Sequence, residues 1–427
     1  MELYDHQKEA LQLTKNRNRV AFFHDMGLGK TFTGSEKMME LGEKNNLIIC
    51  QKSKIDDWYY HIEDNYKVMV YDLTDSKCLE EFLSYGGKKV GVINYDLVFK
   101  RPQILKLKEF TLLLDESSLI KNRQSKRSKF IMKMNPKNII LLSGTPMGGK
   151  YEELWSQMKL LGWNIDYKMF FNHYVDYHYE DDEGFPILIV DGYKNVERLK
   201  RKMREYGCHF LKTEEVFDLP KQTFQVIRVD STKEYRKFKK TGIVNIEEVI
   251  PPSNDFIVHQ LVGDSTFSKM LYERQLCGQF NKDKLEAFRD IVESTEDRII
   301  VFYNFNGELE KLIDIAIDEN RPYSTINGTV KDLKCYENDS NAITFIQYQA
   351  GAMGLNLQKA NKIIYFTPPL SSELFEQSKK RIHRIGQDRP CFYYKLVCRY
   401  SIEEKIYSTL KSRKDYTEAL FEYEEKN

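Results

Sequence analysis

The strongest constraint on the fold is a short apolar run that recurs along the chain, each time followed by a polar or glycine-bearing turn. The runs are continuous rather than alternating, as expected of strands buried on both faces of a parallel sheet. The sequence therefore predicts an α/β fold with two mostly parallel sheets flanked by helices. Ligands of such sheets gather at the carboxyl ends of the strands. The predicted strands are Val20–Phe23, Leu47–Cys50, Val90–Ile93, Phe110–Leu114 and Ile139–Leu142, then Ile299–Tyr303, Ile343–Ile346, Ile363–Phe366 and Phe392–Val397.

A region of different composition separates the two sets of strands. Residues 151–281 are rich in Tyr, Phe, Lys and Arg, and we expect mostly helix and loop there, with a helical insertion at about 151–210. Glu180–Pro186 is typical of a turn or hairpin tip, and Pro251–Asp255 of a loop. Pro220 would break any helix and is the best candidate for a domain boundary. The predicted domains are an amino-terminal lobe, 1–219, and a carboxy-terminal lobe, 220–427.

Composition narrows the class of protein. The 427 residues carry 65 Lys and Arg against 64 Asp and Glu, so the net charge is close to zero. A basic surface that binds nucleic acid would therefore have to be confined to one part of the molecule. No run approaches the roughly 18 apolar residues of a membrane span, and the first residues lack the apolar segment of a secretory signal. The seven cysteines are scattered, without a CxxC pair, which argues against a disulfide framework or a tetrahedral zinc site. We expect a cytoplasmic protein of two domains that does not bind membranes.

A candidate phosphate-binding loop follows the first strand. Glycines at 27 and 29 would let backbone N–H groups approach phosphates, and the helix predicted after them adds a positive dipole. Lys30 would reach the β- and γ-phosphates, and the Thr31 hydroxyl would bind Mg²⁺. His24 occupies the first glycine position of the full loop pattern, so a chance turn is the alternative. The loop residues are Asp25, Met26, Gly27, Leu28, Gly29, Lys30 and Thr31.

An acid pair ends another predicted strand. Asp115 and Glu116 follow Phe110–Leu114, and carboxylates at the end of a buried strand are costly unless they bind something. In nucleotide hydrolysis the first acid holds Mg²⁺ and the second polarises the attacking water. The alternative is an exposed turn that caps the next helix. The phosphate-binding loop upstream favours the catalytic interpretation.

Three further motifs lie at later strand ends. Ser143–Pro146 is a small-residue turn, and the glycine-bearing segment Gln349–Leu357, which includes Gly354, permits close backbone approach to a ligand. Arg381 and Arg384 are three residues apart, so on a helix both would project from one face and suit the oxygens of a transferring phosphoryl group. A solvated basic helix is the alternative.

In this order, the motifs resemble those of the Swi/Snf-like DNA-dependent ATPases of helicase superfamily two, and more closely the compact members carried by bacteriophages. The resemblance covers nearly the whole chain. The matching segments are Tyr4–Gln7, Asp25–Thr31, Gln51–Trp58, Asp115–Asn122, Ser143–Met147, Glu152–Trp155, Leu211–Lys221, Phe302–Phe305, Ala350–Ala360, Arg381–Gln387 and Ser401–Tyr407.

The resemblance implies two RecA-like lobes that bind ATP and Mg²⁺ in the cleft between them and translocate on DNA, duplex rather than single-stranded. It assigns the adenine contact to Gln7, catalysis to Lys30, Asp115 and Glu116, and arginine fingers to Arg381 and Arg384. Implied partners are phage or host replication or recombination proteins, in the cytoplasm of a bacterial host. The remaining implied sites are Gly27, Leu28, Gly29, Thr31 and Gly354 for ATP; Thr31 and Asp115 for metal; and Lys52, Ser53, Thr145, Asn304 and Gln349 for DNA. Independently of the resemblance, Lys121 is a candidate DNA contact because it begins a basic cluster after the acid pair, for which a solvated helix face is the alternative.

The chain departs from the family pattern after the acid pair. Ser117 and Ser118 replace the common Ala-His, and that histidine usually helps to couple the ATP site to the motif around Thr145. Two other functions stay open beside the translocase: a strand-separating or annealing helicase at forks, and an ATP-switched DNA-binding module with little turnover, which the missing histidine at Ser118 keeps open. The retained Glu116 and the arginine pair favour an enzyme.

Overall fold

The computed structural model describes residues 2–182, 185–250, 255–351 and 355–421. It divides into two compact units. One comprises Met1–Phe217 with Arg413–Asn427, and the other comprises Asp218–Ser412. The predicted domain bounds, with their boundary at Pro220, stay a prediction.

A parallel seven-stranded sheet forms the centre of the first unit. Its strand order is β3-β4-β2-β5-β6-β1-β9, and every neighbouring pair is parallel. The strands are β1 Arg19–His24, β2 Asn45–Cys50, β3 Met69–Asp72, β4 Lys89–Asn94, β5 Phe110–Asp115, β6 Asn138–Leu142 and β9 Cys208–Leu211, with β7 Val175–Asp182 and β8 Phe185–Tyr193 outside the sheet. The helices are α1 Asp5–Leu13, α2 Lys30–Leu41, α3 Ile55–Asn65, α4 Ser76–Ser84, α5 Tyr95–Val98, α6 Lys126–Ile131, α7 Trp155–Leu160, α8 Tyr167–Tyr174 and α9 Val196–Glu205.

Both faces of this sheet are buried, which explains the continuous apolar runs. Successive side chains of a strand point to opposite faces. Along β2, Leu47 and Ile49 pack into one hydrophobic cluster, and Ile48 and Cys50 pack into the other. Neither face of the centre of such a strand is open to solvent, so the sequence does not alternate between apolar and polar residues.

The insertion differs from the helical prediction. It contains α7, α8 and α9, but also an antiparallel hairpin, β7–β8, in which Asp182 pairs with Phe185 at the tip. The predicted hairpin tip at Glu180–Pro186 is therefore confirmed on its described residues. β9 then returns to the main sheet beside β1. Most residues of β7 and β8 are exposed on a two-stranded ribbon, so these strands lack the continuous apolar run that identifies a core strand.

The second unit contains a parallel six-stranded sheet, ordered β10-β17-β16-β13-β15-β14. The strands are β10 Gln222–Val229, β13 Ile299–Tyr303, β14 Tyr323–Ile326, β15 Ile343–Gln347, β16 Lys362–Tyr365 and β17 Cys391–Cys398, with an antiparallel hairpin of β11 Ile243–Ile250 and β12 Asp255–Val262. The helices are α10 Lys233–Thr241, α11 Thr266–Cys277, α12 Lys282–Glu293, α13 Asn306–Asp318, α14 Lys334–Asn338, α15 Tyr348–Gly351, α16 Ser372–Lys379 and α17 Ile402–Phe421, whose last residues belong to the first unit.

The predicted α/β class, with two parallel sheets flanked by helices, is confirmed. All nine predicted strands are present, with ends shifted by two residues or fewer. The predicted loop at Pro251–Asp255 begins outside the described residues, between β11 and β12, and its last residue starts β12.

Candidate nucleotide site and nucleic-acid-facing residues

The segment after β1 forms the predicted strand–turn–helix. Gly27 and Gly29 have φ values of 91° and 70°, a left-handed conformation that glycine adopts without the strain of a side chain. α2 then begins at Lys30, with Gly29 as its N-cap. The turn therefore brings Lys30 and Thr31 to a helix N-terminus, where free backbone N–H groups favour an anion.

The ammonium group of Lys30 lies inside its own loop. Its Nζ donates to the carbonyl oxygens of His24 at 2.9 Å and Asp25 at 3.0 Å. A Cβ built on Gly144 would lie 3.4 Å from Lys30 Nζ and from the His24 carbonyl oxygen, so the turn after β6 packs directly against the loop. Lys30 is thus held at the point where the ends of β1 and β6 meet.

His24 shows how the loop accepts a residue other than glycine at its first position. Its ring is fully buried, and its Nε2 lies 2.8 Å from Nδ1 of His209 on the neighbouring β9. Burial, followed by the charges of His209 and Lys30, holds the pKa of His24 well below its usual value. The side chain therefore packs as a neutral ring, and only its carbonyl group faces Lys30.

Gln7 contacts the loop rather than open solvent. Its Nε2 donates to the carbonyl oxygens of Leu28 and Gly29, both at 3.2 Å, and its Oε1 accepts from the backbone N–H of Tyr4. A Cβ on Gly29 would lie 2.2 Å from Gln7 Nε2, so this packing also requires glycine. All the hydrogen-bonding groups of the Gln7 side chain are engaged by α1 and the loop, and its adenine contact stays a prediction.

The predicted metal ligand Asp115 ends β5 and is only partly exposed. The indole N–H of Trp58 donates to its Oδ2 at 2.8 Å. Burial raises the pKa of Asp115, while the Trp58 hydrogen bond and the positive charge of Lys30 act in the opposite direction. Trp58 lies 57 residues earlier, on α3, and was not among the predicted site residues.

The carboxylate of Glu116 is bound by two serines. Glu116 has a left-handed backbone with φ 55°, which costs a residue with a side chain roughly 1–2 kcal/mol. Its Oε1 accepts from Ser143 Oγ at 2.8 Å and from Ser118 Oγ at 3.3 Å. The Ser143 contact joins the end of β5 to the end of β6, and with Lys30 it brings three strand ends into one site.

The predicted arginine pair does not lie on a helix, so that expectation is wrong. α16 ends at Lys379, and Arg381 and Arg384 occupy the turns after it. Gln387 accounts for this, because its Nε2 donates to the carbonyl oxygens of Gln358, Ala360 and Ile382 and ties the segment into a loop. Arg381 is buried and donates to the Leu355 carbonyl oxygen at 3.4 Å. Arg384 is half-buried, donates to Asn356 Oδ1, and has a pKa lowered by burial.

Comparison with known families decides what kind of chain this is. The model of the SNF2-related domain matches residues 6–282. The chain belongs to the SNF2-related family. A second model, the helicase conserved C-terminal domain, matches residues 283–386.

The relatives are much longer proteins. The chain is 22% identical to the CHD3-type chromatin-remodeling factor CHR7 of Arabidopsis thaliana, with 96% of this chain and 37% of the relative aligned. It is 23% identical to the ISWI chromatin-remodeling complex ATPase ISW2 of Saccharomyces cerevisiae, over 95% and 40% of the two chains. The chain thus spans about two-fifths of these curated relatives. A solved structure of a Sulfolobus solfataricus SWI2/SNF2 ATPase core in complex with dsDNA is 18% identical, covers 98% of this chain and 92% of its own, and superposes with a TM-score of 0.45.

In this SNF2-related chain, the predicted DNA-facing residues differ in exposure. Lys52 and Ser53 are exposed just after β2, and Gln349 is exposed on α15. The side-chain amide of Asn304 instead donates to Thr367 and Pro368 within its own unit.

The other two predicted DNA residues lie near the turn after β6. Lys121 is half-buried, and a Cβ on Gly148 would lie 3.3 Å from its Nζ. The Thr145 hydroxyl is buried and has no hydrogen-bond partner in the part of the chain that the structure describes. Gly354, predicted to contact ATP, lies outside the described residues.

One group of side chains has the composition of a metal site. Among the described residues, Cys277, Cys398 and Glu403 lie close enough to share an ion. Glu403 already pairs with the buried Lys284 at 2.6 Å, and Asn281 donates to Cys398 Sγ at 3.2 Å. The positive charge of Lys284 opposes a cation there, so we assign this cluster to core packing. Separately, no described helix combines the length and apolar character that a membrane crossing demands.

Proposed function

We propose that this chain is an ATP-dependent DNA translocase of the Swi/Snf type, which hydrolyses ATP to move along or remodel duplex DNA. The observation that carries the proposal is the cluster at the ends of β1, β5 and β6, where Lys30, Asp115, Glu116 and Ser143 converge. Membership of the SNF2-related family supports it. The names of the relatives, a chromatin-remodeling factor and a remodeling-complex ATPase, agree with the same activity.

In the proposed reaction, water attacks the γ-phosphorus and ADP leaves. Backbone N–H groups of residues 27–31 receive the phosphate oxygens, and Lys30 exchanges its two carbonyl partners for the β- and γ-phosphates. Glu116 orients and polarises the water, and Ser143 and Ser118 fix the position of its carboxylate. Arg384, with Arg381, would neutralise the charge that develops on the transferring phosphoryl group.

The residues present fit Mg²⁺. Thr31 and Asp115 offer hydroxyl and carboxylate oxygens, the ligands that a hard cation prefers, and the Trp58 N–H fixes the direction of the carboxylate. When bound, the ion would neutralise charge on the phosphate oxygens. We include Mg²⁺ in the proposal on the chemistry of this donor set.

The DNA partner is also part of the proposal. Lys52, Ser53 and Gln349 are exposed and suited to phosphate and sugar contacts, which carry most of the affinity of such proteins for DNA. We further propose, from the resemblance alone, that the chain is the compact bacteriophage type, acts in the cytoplasm of a bacterial host and works with phage or host replication or recombination proteins.

Steady-state ATP hydrolysis without DNA, and with single-stranded, duplex and forked DNA, tests the proposal. Glu116→Gln protein purified in parallel sets the background from contaminating enzymes. We expect the strongest stimulation by duplex DNA, and displacement of a triplex-forming strand would then test movement. Stimulation by forks or single strands alone would favour the helicase. Tight ATP-dependent DNA binding with background turnover would favour the switch and overturn the motor.

A further inference from the structure

The two serines that replace Ala-His are buried, and each makes a hydrogen bond. Ser117 and Ser118 form the start of a short 3₁₀ segment, Ser117–Ile120, and both are 0% exposed. A buried hydroxyl needs a partner, because leaving it unpaired costs about 1–3 kcal/mol. Ser118 bonds to Glu116 itself. The partner of Ser117 lies on a different element.

That partner is Gln157, a fully buried residue of α7. Ser117 Oγ donates to Gln157 Oε1 at 2.7 Å, and Gln157 Nε2 donates to the carbonyl oxygen of Pro146 at 2.6 Å. The orientation of the amide is fixed by chemistry, since a carbonyl oxygen can only accept. Two hydrogen bonds in series therefore connect the residue after Glu116 to the turn after β6.

The same turn is connected to Glu116 at its other end. Ser143 donates to the Glu116 carboxylate, and the backbone N–H of Thr145 donates to Ser143 Oγ at 3.1 Å. The turn Ser143–Pro146 is thus linked to the end of β5 through both its first residue and its last residue. Thr145 lies between them, and its hydroxyl group has no hydrogen-bond partner among the described residues. A displacement of this turn that keeps these hydrogen bonds moves Glu116, Ser117 or both.

We propose that Gln157 is a positioning residue which, with Ser117, couples movement of the turn Ser143–Pro146 to the position of Glu116. In this chain the pair performs the coupling that a histidine at position 118 would otherwise provide. The inference rests on the proposed function, because coupling has a consequence only where DNA contact controls ATP turnover. Stability alone does not require the pair, since two apolar side chains of similar shape can replace a buried hydrogen-bonded pair at little cost.

The test compares Ser117→Ala, Gln157→Met and the double variant Ser117→Ala/Gln157→Met. Each single change leaves a buried polar group unpaired, so both should lower the thermal midpoint. The double change removes the hydroxyl of Ser117 and the amide of Gln157 but leaves the Pro146 carbonyl oxygen without its donor, so it should recover only part of the midpoint lost by Gln157→Met. We expect the ratio of duplex-stimulated to basal turnover to fall by about fivefold or more in the double variant, within the usual range of coupling between sites, while its thermal midpoint lies above that of Gln157→Met.

Ser156→Ala is the matched control. Ser156 is the preceding residue of the same helix, is equally buried, and its hydroxyl has no partner among the described residues. Its removal should leave the stimulation ratio at the wild-type value. A double variant that keeps the wild-type stimulation ratio would reduce Gln157 to a packing role and overturn the inference.

A second readout separates this inference from the proposed function. Amide hydrogen exchange of the peptide covering Ser143–Gly148 is measured with and without a nonhydrolysable ATP analogue. We expect the analogue to change exchange in the wild type but not in the double variant. If DNA fails to stimulate ATP turnover by the wild type, the motor proposal fails. The exchange measurement still tests Gln157, because an equal change in exchange in the wild type and the double variant would overturn its role.

Discussion

The ammonium of Lys30 donates to two carbonyl oxygens of its own loop, those of His24 and Asp25. These bonds hold the charge at the loop before a nucleotide arrives, and in the proposed reaction Lys30 exchanges them for contacts with the phosphates. We expect Lys30→Ala to lower ATP turnover by about a hundredfold or more, because the phosphate charge that develops in the reaction loses its fixed counter-charge. The measurement is steady-state hydrolysis with saturating duplex DNA.

An exposed lysine provides the control for this change. Lys77 lies on α4 and is solvent-exposed. Lys77→Ala should hydrolyse ATP like the wild type. If Lys30→Ala hydrolyses ATP at a rate within a few fold of the Lys77→Ala control, the assignment of this loop as the phosphate-binding loop is wrong.

At the same scale, sequence reasoning identified Lys30, Asp115 and Glu116, because their types and spacing follow from the chemistry they would perform. It could not identify Trp58 or Ser143 as their partners. Those contacts depend on the parallel register that brings the ends of β5 and β6 together, and on the packing of α3 against the sheet. Neither is encoded in a local pattern.

Among the elements, α13 begins with an unusual cap. Glu308 Oε2 accepts from the backbone N–H groups of Asn304 and Phe305 at 2.8 and 3.2 Å, and from Thr367 Oγ1 at 3.0 Å. Its Oε1 is buried without a partner among the described residues. Burial raises the pKa of Glu308 to about 7, although these N–H groups and the charge of Lys284 oppose the shift.

A raised carboxylate pKa predicts how stability depends on pH. Between the ordinary glutamate pKa and about 7, the folded state holds a proton that the unfolded state has lost, so stability falls as pH rises through this window. The effect on the free energy of unfolding is on the order of 3 kcal/mol. Glu308→Gln has no proton to lose, and its Oε1 can accept from the same three donors. We expect the thermal midpoint of this variant to match that of the wild type at pH 5 and to exceed it at pH 8. The expected excess is about 2–4 °C for each kcal/mol by which the free energy of unfolding differs.

The control for Glu308 is Glu310→Gln, an exposed glutamate on the same helix. Its thermal midpoint should follow the wild type at both pH values. If the thermal midpoint of Glu308→Gln changes between pH 5 and pH 8 as much as that of the wild type, the carboxyl group of Glu308 is not the origin of the pH dependence.

The elements that sequence reasoning missed share a physical reason. β1, β2, β4 to β6, β13 and β15 to β17 were predicted because continuous apolar runs mark burial on both faces. β3, β9 and β14 are four-residue strands at or next to sheet edges, and β10 is an edge strand with an exposed middle, so none has such a run. The helix expected at Arg381 and Arg384 is absent for a different reason. The carbonyl oxygens of Arg381 and Ile382 accept from the Leu357 N–H and from Gln387 Nε2 instead of from later residues of a helix.

For the whole molecule, the proposed chemistry needs residues from both compact units. Lys30 belongs to the first unit, and Arg384 belongs to the second. If Arg384 acts as the proposed arginine finger, Arg384→Ala should depress turnover more than ATP affinity, since such a finger acts mainly in the transition state.

Mixing two inactive variants tests whether the site is completed within one chain. Equal amounts of Lys30→Ala and Arg384→Ala proteins should hydrolyse ATP no faster than the average of the two alone, because every chain lacks one essential charge. Wild type diluted with Lys30→Ala protein is the control and should lose activity only in proportion to the dilution. Recovery in the mixture that grows with protein concentration would mean that Arg384 acts on the nucleotide of a second copy, and the motor would then be an assembly rather than a single chain.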